Sequence, residues 1–178
     1  MQIRLRPYQE NDAIQLMMMA NNVNVSINLN DNFPYPYTLE DAKNHILLTK
    51  QTNIPVLEFA ITVNDLVCGA ISLSFGQDIY SHLGEIGYWL GEPYWHQGIM
   101  QKAISIMLNY TFTNYDIQII IARVFTRNKS SIRLLEKNHF NHVVTFKKYG
   151  YKNGEFLDIE LYQLTKQDYW LSLQKECI

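Results

Sequence analysis

Cysteine is scarce in this chain, which has two, Cys68 and Cys177, among 178 residues. Two isolated cysteines are too few for a disulfide framework, and they lack the paired spacing of a structural zinc site. Metal-ligand spacing is also missing from the five histidines, which are His45, His82, His96, His139 and His142. The sequence therefore predicts no metal cofactor and a reducing, cytoplasmic location.

An excess of positive charge is also missing. The formal net charge is -2 at pH 7 and the isoelectric point is near 6.2, so the chain lacks the basic field that binding to duplex nucleic acid requires. Long apolar runs are missing too, since residues 1–7 alternate apolar with charged or polar side chains and contain no segment typical of a signal peptide or membrane span. We expect neither nucleic acid nor membrane as a partner.

Apolar and aromatic residues are plentiful, at 47% and 13% of the chain. That supply is enough for one sizeable core, and no shift of composition, repeat or low-complexity segment divides the sequence. We therefore expect a single domain over residues 1–178, as a monomer or a homodimer.

Hydrophobic periodicity predicts alternating strands and helices. The predicted strands are an edge strand at Ile3 and Leu5, a hairpin of residues 59–63 and 66–73 turning at Asn64-Asp65, residues 85–90, residues 117–124, and a final hairpin within residues 149–164. The predicted helices begin after Asp12, as a cap, near Thr38, at Gly98 and near residues 127–131, the last ending at residues 138–140. A helix between two buried strands favours a parallel crossover, so the sheet should be mixed.

Residues 84–103 have the order strand, turn, helix. The strand residues are aromatic and β-branched, residues 91–93 break the pattern, and Gly98 begins the helical period. The first N–H groups of a helix lack partners within the helix and, with the helix dipole, favour a phosphate. Alone, this weak motif indicates only some phosphate-bearing ligand.

This segment resembles the acetyl-CoA-binding core of the GNAT N-acetyltransferases, whose loop is written Gln/Arg-x-x-Gly-x-Gly/Ala. It is most similar to the branch of ribosomal-protein N-terminal acetyltransferases, which carries Gly-Tyr-Trp-Leu and then Tyr-Trp-Gly-x-Gly. Here Trp95 takes the first loop position, Gly98 the central glycine and Met100 the final place, while His96 replaces a branch glycine.

A second segment matches the branch pattern Asn-x-x-Ser followed by Leu-Glu-Lys-x-Gly-Phe. The matching residues are Asn128, Ser131, Leu135, Glu136, Lys137 and Phe140. His139 replaces the family glycine at a position expected to need a left-handed backbone. The resemblance covers residues 3–164 and implies an α+β fold, a mixed, mostly antiparallel sheet of about seven strands flanked by helices.

The resemblance implies transfer of acetyl from acetyl-CoA to a primary amine, a protein N-terminus or a small amine, by direct attack in a ternary complex. The implied cofactor contacts are main-chain groups of Trp89, Leu90, Gln97, Gly98, Ile99, Met100 and Gln101, together with Asn128 and Ser131. By the same resemblance the loop that carries Phe33, Tyr35 and Tyr37 faces the acceptor. Its alternative role is to pin the loop to the core by its rings.

Acetyl transfer needs a base for the amine and a proton for the leaving thiolate. Glu85 stands where several GNAT enzymes keep a general base, although a carboxylate paired with a neighbouring cation is the alternative. Many members carry a tyrosine as acid where this chain has Leu135, so the acid must differ. The resemblance implies that Asn128 and Ser131, at positions that match the branch pattern, hold the pantetheine and orient the sulfur or a water. Helix capping is the competing explanation for both.

A binding or sensory module with the same fold is the other function class. Four replacements favour it: His96, Met100, Leu135 and His139. The presence of Glu85, Asn128 and Ser131 argues for the enzyme.

Overall fold

The computed structural model describes residues 1–51 and 56–176. Two compact units make up the chain. The first comprises Met1–Leu73 and Gly87–Met107, and the second comprises Ser74–Ile86 and the described residues from Leu108 onward. The expectation of one domain over residues 1–178 stays a prediction.

The predicted helices and strands occur in the predicted order, and the described residues form two further helices. The helices are α1 Ala13–Ala20, α2 Val23–Ser26, α3 Leu39–Thr49, α4 Ile99–Asn114, α5 Lys129–Lys137 and α6 Lys166–Glu176. The strands are β1 Ile3–Arg6, β2 Val56–Val63, β3 Leu66–Phe75, β4 Leu83–Leu90, β5 Ile119–Phe125, β6 Asn141–Lys152 and β7 Glu155–Thr165. Short 3₁₀ turns lie at Glu10–Asp12, Asp78–Tyr80 and Glu92–Tyr94.

The described strands form one seven-stranded sheet in the order β1-β2-β3-β4-β5-β7-β6. The pairs β1–β2, β5–β7 and β6–β7 are antiparallel, whereas β4 and β5 are parallel. A parallel pair needs a long crossover, and α4 supplies it. The predicted α+β fold with a mixed, mostly antiparallel sheet is confirmed.

Both predicted hairpins are present, and each turns where two residues adopt positive φ. Asn64 and Asp65 have φ of 50° and 69°, and Asn153 and Gly154 have φ of 52° and 85°. Two successive positive φ values match the right-handed twist of the flanking strands, and asparagine, aspartate and glycine tolerate them best. The second hairpin is longer than predicted, because β6 already begins at Asn141.

Two sequence expectations need correction. The segment that forms α6 was not predicted as a helix, because its apolar residues Tyr169, Trp170 and Leu171 are consecutive rather than spaced by three or four. Asp12 does not cap α1 with its side chain. Its carboxylate instead accepts two hydrogen bonds from Arg6, of 2.7 and 2.9 Å, and one from the backbone N–H of Gln9 at 2.8 Å.

The core of the first unit lies where α1 and α3 pack on the sheet. Its buried residues are Tyr8, Ala13, Leu16, Ala20, Tyr37, Ala42, Ile46, Ala60, Val67 and Ala70. Phe33 and Trp89 are partly buried against this cluster. Small residues at several of these positions let the helices approach the strands closely, so the larger rings collect at the margin of the core.

The second unit buries its own apolar side chains. Phe112, Ile120, Leu135 and Leu164 are essentially inaccessible to solvent, and Phe112 packs on Tyr169 of α6 with ring centroids 5.1 Å apart. Helix α6 therefore contributes to this core although its sequence pattern is weak.

Candidate active site

The loop between β4 and α4 leaves the start of α4 open. Gly98 is the capping residue, since its carbonyl accepts from Lys102 N–H at 3.1 Å. Its φ is +75°, which favours glycine, although a Cβ there would meet nothing within 4 Å. No acidic residue stands in the first turn of α4, and a glycine cap offers no side-chain oxygen to the first N–H groups. The helix start is therefore suited to an external anion.

The side chains around the start of α4 include both buried and exposed ones. Ile99 and Met100 are 1% and 9% exposed, so their side chains enter the core. His96, Gln97 and Gln101 are exposed. His96 has φ of +60°, a left-handed conformation that explains why the related branch prefers glycine there. The five consecutive residues from Gln97 to Gln101, which are predicted to contact the cofactor through their main chain, thus lie together at the start of α4.

Side chains that the sequence reasoning missed hold this loop in place. The indole Nε1 of Trp95 donates to the carbonyl of Leu90 at 2.7 Å, and Gln97 Nε2 donates to the carbonyl of Pro93 at 2.9 Å. These bonds tie the loop to the end of β4 and to itself. Trp95 was placed at the first position of the loop by the resemblance, and no local pattern signals its hydrogen bond.

Glu92 connects the same loop to α2. Its carboxylate accepts from Asn22 Nδ2 at 2.7 Å and from Asn24 Nδ2 at 3.0 and 3.1 Å. The hydrogen bond from Asn22, and then that from Asn24, lowers the pKa of Glu92. Charge-assisted hydrogen bonds therefore order the loop.

Strand β4 is longer than its ladder with β5. The parallel pairs are Leu83 with Ile119, Gly84 with Ile120 and Glu85 with Ile121, while β4 continues to Leu90. Trp89 and Leu90, the predicted contacts for the thioester and pantetheine, lie in this continuation. A strand that runs past its ladder can offer backbone groups to a ligand.

Glu85 forms an ion pair with Arg123. Arg123 Nε donates to Glu85 Oε1 at 2.8 Å, and Arg123 Nη2 donates to Oε2. Because Glu85 is paired with Ile121 in register, Arg123 lies two residues further along β5 on the same face. The hydrogen bond that Arg123 donates to Glu85 raises the pKa of Arg123. The alternative of a carboxylate paired with a cation is thus confirmed, and a catalytic role for Glu85 stays a prediction.

Asn128 caps α5. Its Oδ1 accepts from the backbone N–H of Ser131 at 3.1 Å, so capping, the competing explanation for Asn128, is confirmed. Roles of Asn128 and Ser131 toward a cofactor or the sulfur stay predictions. Leu135 is completely buried. Because a leucine side chain has no ionisable proton, this position provides no acid.

A buried carboxylate that sequence reasoning missed lies beside this turn. Glu160 accepts from Thr126 Oγ1 at 2.9 Å, from Thr145 Oγ1 at 2.5 Å and from His142 Nε2 at 2.8 Å. The Thr145 bond contributes most to lowering the pKa of Glu160. Thr126 precedes Asn128 by two residues, so the network fixes the start of α5.

A pocket of about 210 Å³ opens in the first unit, and we call it the Trp89 pocket. It is lined by Asn32, Phe33, Pro34, Tyr37, Asp41, Asn44, His45, Leu48 and Trp89. Two of the three predicted acceptor residues, Phe33 and Tyr37, line it, whereas Tyr35 is 55% exposed and does not. Tyr37 is also 5% exposed and part of the core, so the pinning role applies to it as well.

The family described as "Acetyltransferase (GNAT) domain" matches residues 2–141. The chain belongs to the GNAT acetyltransferase family. Its GNAT relatives include the uncharacterised N-acetyltransferase p20 of Bacillus licheniformis, 32% identical over 85 residues. That match spans about half of each protein, 48% of this chain and 48% of the relative.

Solved structures share the GNAT fold. RimL, a ribosomal L7/L12 alpha-N-protein acetyltransferase in complex with coenzyme A, matches with a TM-score of 0.80 and 23% identity, over 92% of this chain and 93% of that one. Spermidine N-acetyltransferase of Vibrio cholerae, in complex with CoA and spermine, matches with a TM-score of 0.79 and 18% identity, over 95% and 98%. At these identities the likeness establishes the fold.

Within residues 1–51 and 56–176, no group of three or more His, Cys, Asp or Glu side chains is placed to hold a metal ion. None of the described helices has the length and apolar character needed to cross a bilayer.

Proposed function

We propose that this GNAT chain is an acetyl-CoA-dependent N-acetyltransferase that acts on a primary amine, either a protein N-terminus or a small molecule, by direct attack in a ternary complex. The observation that carries the proposal is the start of α4, where the cap is a glycine and the first turn has no acidic residue, next to a loop that Trp95 and Glu92 hold in place. Proteins of the same fold support it, since RimL and the Vibrio spermidine enzyme both bind CoA.

The chain's own groups suit the co-substrate. The backbone N–H groups of residues 97–101 would bind the pyrophosphate, because the helix dipole and the unpaired donors act on the same anion. Those of Trp89 and Leu90 would bind the pantetheine and polarise the thioester carbonyl. Asn128 and Ser131 would hold the pantetheine near the sulfur.

The reaction forms a bond from the amine nitrogen to the carbonyl carbon and breaks the bond from that carbon to sulfur. Glu85 is the base that we assign to the amine proton, directly or through a water. Its bidentate pair with Arg123 fixes the direction of the carboxylate, and one guanidinium bond must be exchanged when an oxygen accepts the amine proton. The leaving thiolate takes a proton from water or from Ser131.

A cytoplasmic location belongs to the same proposal. Cys68 is buried with a reduced thiol, and burial raises its pKa to about 12. Such a cysteine is unreactive and matches a reducing compartment. We propose a monomer or a homodimer.

A non-catalytic acyl-CoA-binding module is the second candidate, favoured by Leu135, a buried side chain without an ionisable proton at the position where the family resemblance implies a tyrosine acid. Thiol release from acetyl-CoA with a panel of amines and peptides separates the two, with CoA calorimetry in parallel. Turnover with any acceptor supports the enzyme. Heat with CoA and no turnover supports the module, and no heat with CoA or acetyl-CoA contradicts both.

A further inference from the structure

The Trp89 pocket combines aromatic faces with carboxylates. We propose that it binds a second positive charge of the acceptor, so that the preferred acceptor is an amine carrying an additional alkylammonium group. The inference rests on the proposed function, because it names the acceptor class that the transferase selects.

The pocket wall is aromatic. Phe33 lies between Tyr37 and Trp89, with ring centroids 5.1 Å from Tyr37 and 5.3 Å from Trp89. Aromatic faces carry negative partial charge and attract ammonium groups, tryptophan most strongly, and the attraction grows when the cation is partly desolvated. Phe33 and Trp89 are half-buried, which supplies that partial desolvation.

The polar side of the pocket is negative. Asp41 lines it, and Glu58 lies behind the lining residue His45, with His45 Nε2 2.7 Å from Glu58 Oε1. The described lining residues include neither lysine nor arginine. Burial raises the pKa of Tyr37, and the charges of Asp41 and Glu58 raise it further. The negative charges of both carboxylates therefore reach Tyr37 in the pocket wall.

Asp41 can serve a ligand without losing its structural role. Thr38 N–H and Thr38 Oγ1 both donate to Asp41 Oδ2, at 2.8 and 2.6 Å, and these bonds cap α3. The cap engages one carboxylate oxygen, so the charge remains available to a cation in the pocket. A neutral alkyl occupant would gain the same ring contacts but would desolvate Asp41 without compensating its charge.

Calorimetry on the purified protein tests the subsite with a matched pair of amines, butane-1,4-diamine and butylamine, at low and high salt. We expect the diamine to bind about tenfold more tightly, and the preference to shrink as salt rises. Equal affinity for the two amines, or a preference that does not respond to salt, would overturn the proposal.

Two variants of α3 test whether Asp41 causes the preference for the diamine. Asp41→Asn keeps a carbonyl oxygen for Thr38 and removes the charge, so the diamine preference should fall about fivefold to tenfold. Glu40→Gln removes a neighbouring exposed carboxylate that does not line the pocket, and it should change the preference less than twofold. The same loss in both variants would show a diffuse surface effect and contradict the subsite.

Two further measurements identify the source of the cation and distinguish a failure of the subsite from a failure of the proposed reaction. Peptides that differ only by lysine or norleucine beside the free N-terminus test a protein acceptor, and lysine should be favoured only if the cation belongs to a peptide. A diamine preference without thiol release keeps the subsite and contradicts the transferase. Thiol release with equal affinity for both amines keeps the transferase and contradicts the subsite.

Discussion

Arg123 holds Glu85 with two hydrogen bonds from one guanidinium group, Nε to Oε1 at 2.8 Å and Nη2 to Oε2. The side chains are 47% and 30% exposed, so solvent reaches both. A bidentate pair fixes the direction of the carboxylate, and the partial exposure leaves an oxygen accessible to an incoming amine or water. The pair therefore orients the proposed base without enclosing it.

Glu85→Gln tests the base directly. Glutamine retains the size and hydrogen-bonding oxygen but cannot take a proton, so we expect kcat/KM to fall by about 10²–10³ with CoA affinity unchanged. Thiol release and CoA calorimetry measure the two quantities. Glu155→Gln, at an exposed residue of β7, is the matched control. Undiminished turnover in Glu85→Gln would remove the base assignment.

Arg123 should contribute through geometry as well as charge. Arg123→Lys retains the charge but loses the fork of two parallel donors, so we expect kcat to fall about tenfold, nearly as far as in Arg123→Gln. The KM for acetyl-CoA should not change in either variant. If lysine restores full activity, the charge alone is sufficient and the bidentate geometry plays no part.

The Arg6–Asp12 pair makes stability depend on pH. Burial acts to raise the pKa of Asp12, but the Arg6 hydrogen bonds, the Gln9 N–H and the Arg6 charge together lower it. A lowered folded pKa stabilises the protein above the unfolded value of about 3.9, and that stabilisation is lost as pH falls below it. We expect Asp12→Asn to lower the free energy of unfolding by about 2–3 kcal/mol at pH 7, because it leaves Arg6 without its partner.

Urea denaturation of both proteins from pH 3 to pH 8 measures the effect. The gap between wild type and Asp12→Asn should narrow toward pH 3. Asp78→Asn, at an exposed residue, should show a small gap at every pH. A gap for Asp12→Asn that does not vary with pH would mean that packing, not charge, stabilises this position.

Local patterns predicted most of the fold, and contacts between distant residues account for what they missed. The hairpin turn was predictable from Asn64-Asp65, and the start of α4 was predictable from Gly98. The backbone conformations of these residues depend on neighbours in sequence. Arg123 reaches Glu85 across 38 positions, which requires the register of β4 and β5. The register becomes known only when the sheet has formed, since a shift of one residue would turn Arg123 to the other face.

The same reasoning applies to the candidate site. The exposed turn at residues 96–101 was predictable because it is continuous in sequence. The Trp89 pocket was predicted in part, through Phe33 and Tyr37. Asp41 was not among the predicted site residues, because no local pattern shows that this carboxylate and Trp89 line the same pocket.

His139 should strain the end of α5. Its φ is +65°, and the following N–H of Phe140 donates back to the Leu135 carbonyl at 3.1 Å, which is the geometry of a left-handed helix cap. We expect His139→Gly to raise the free energy of unfolding by about 1 kcal/mol, measured by urea denaturation. Lys137→Gly, inside the last turn of α5, should lower it by about 1 kcal/mol. Destabilisation by both would show that His139 side-chain contacts outweigh the strain.

His96 lies two residues before the cap of α4, in the predicted pyrophosphate turn, with φ of +60°. Removing its side chain lets a phosphate approach the backbone more closely, so we expect His96→Gly to tighten CoA binding about fivefold by calorimetry. His96→Ala should increase the affinity for CoA by less than His96→Gly, because its Cβ remains. Only the glycine variant should also stabilise the protein. If both variants instead weaken CoA binding, the imidazole itself contacts the phosphate, and the substitution of the branch glycine is an adaptation for binding rather than a cost.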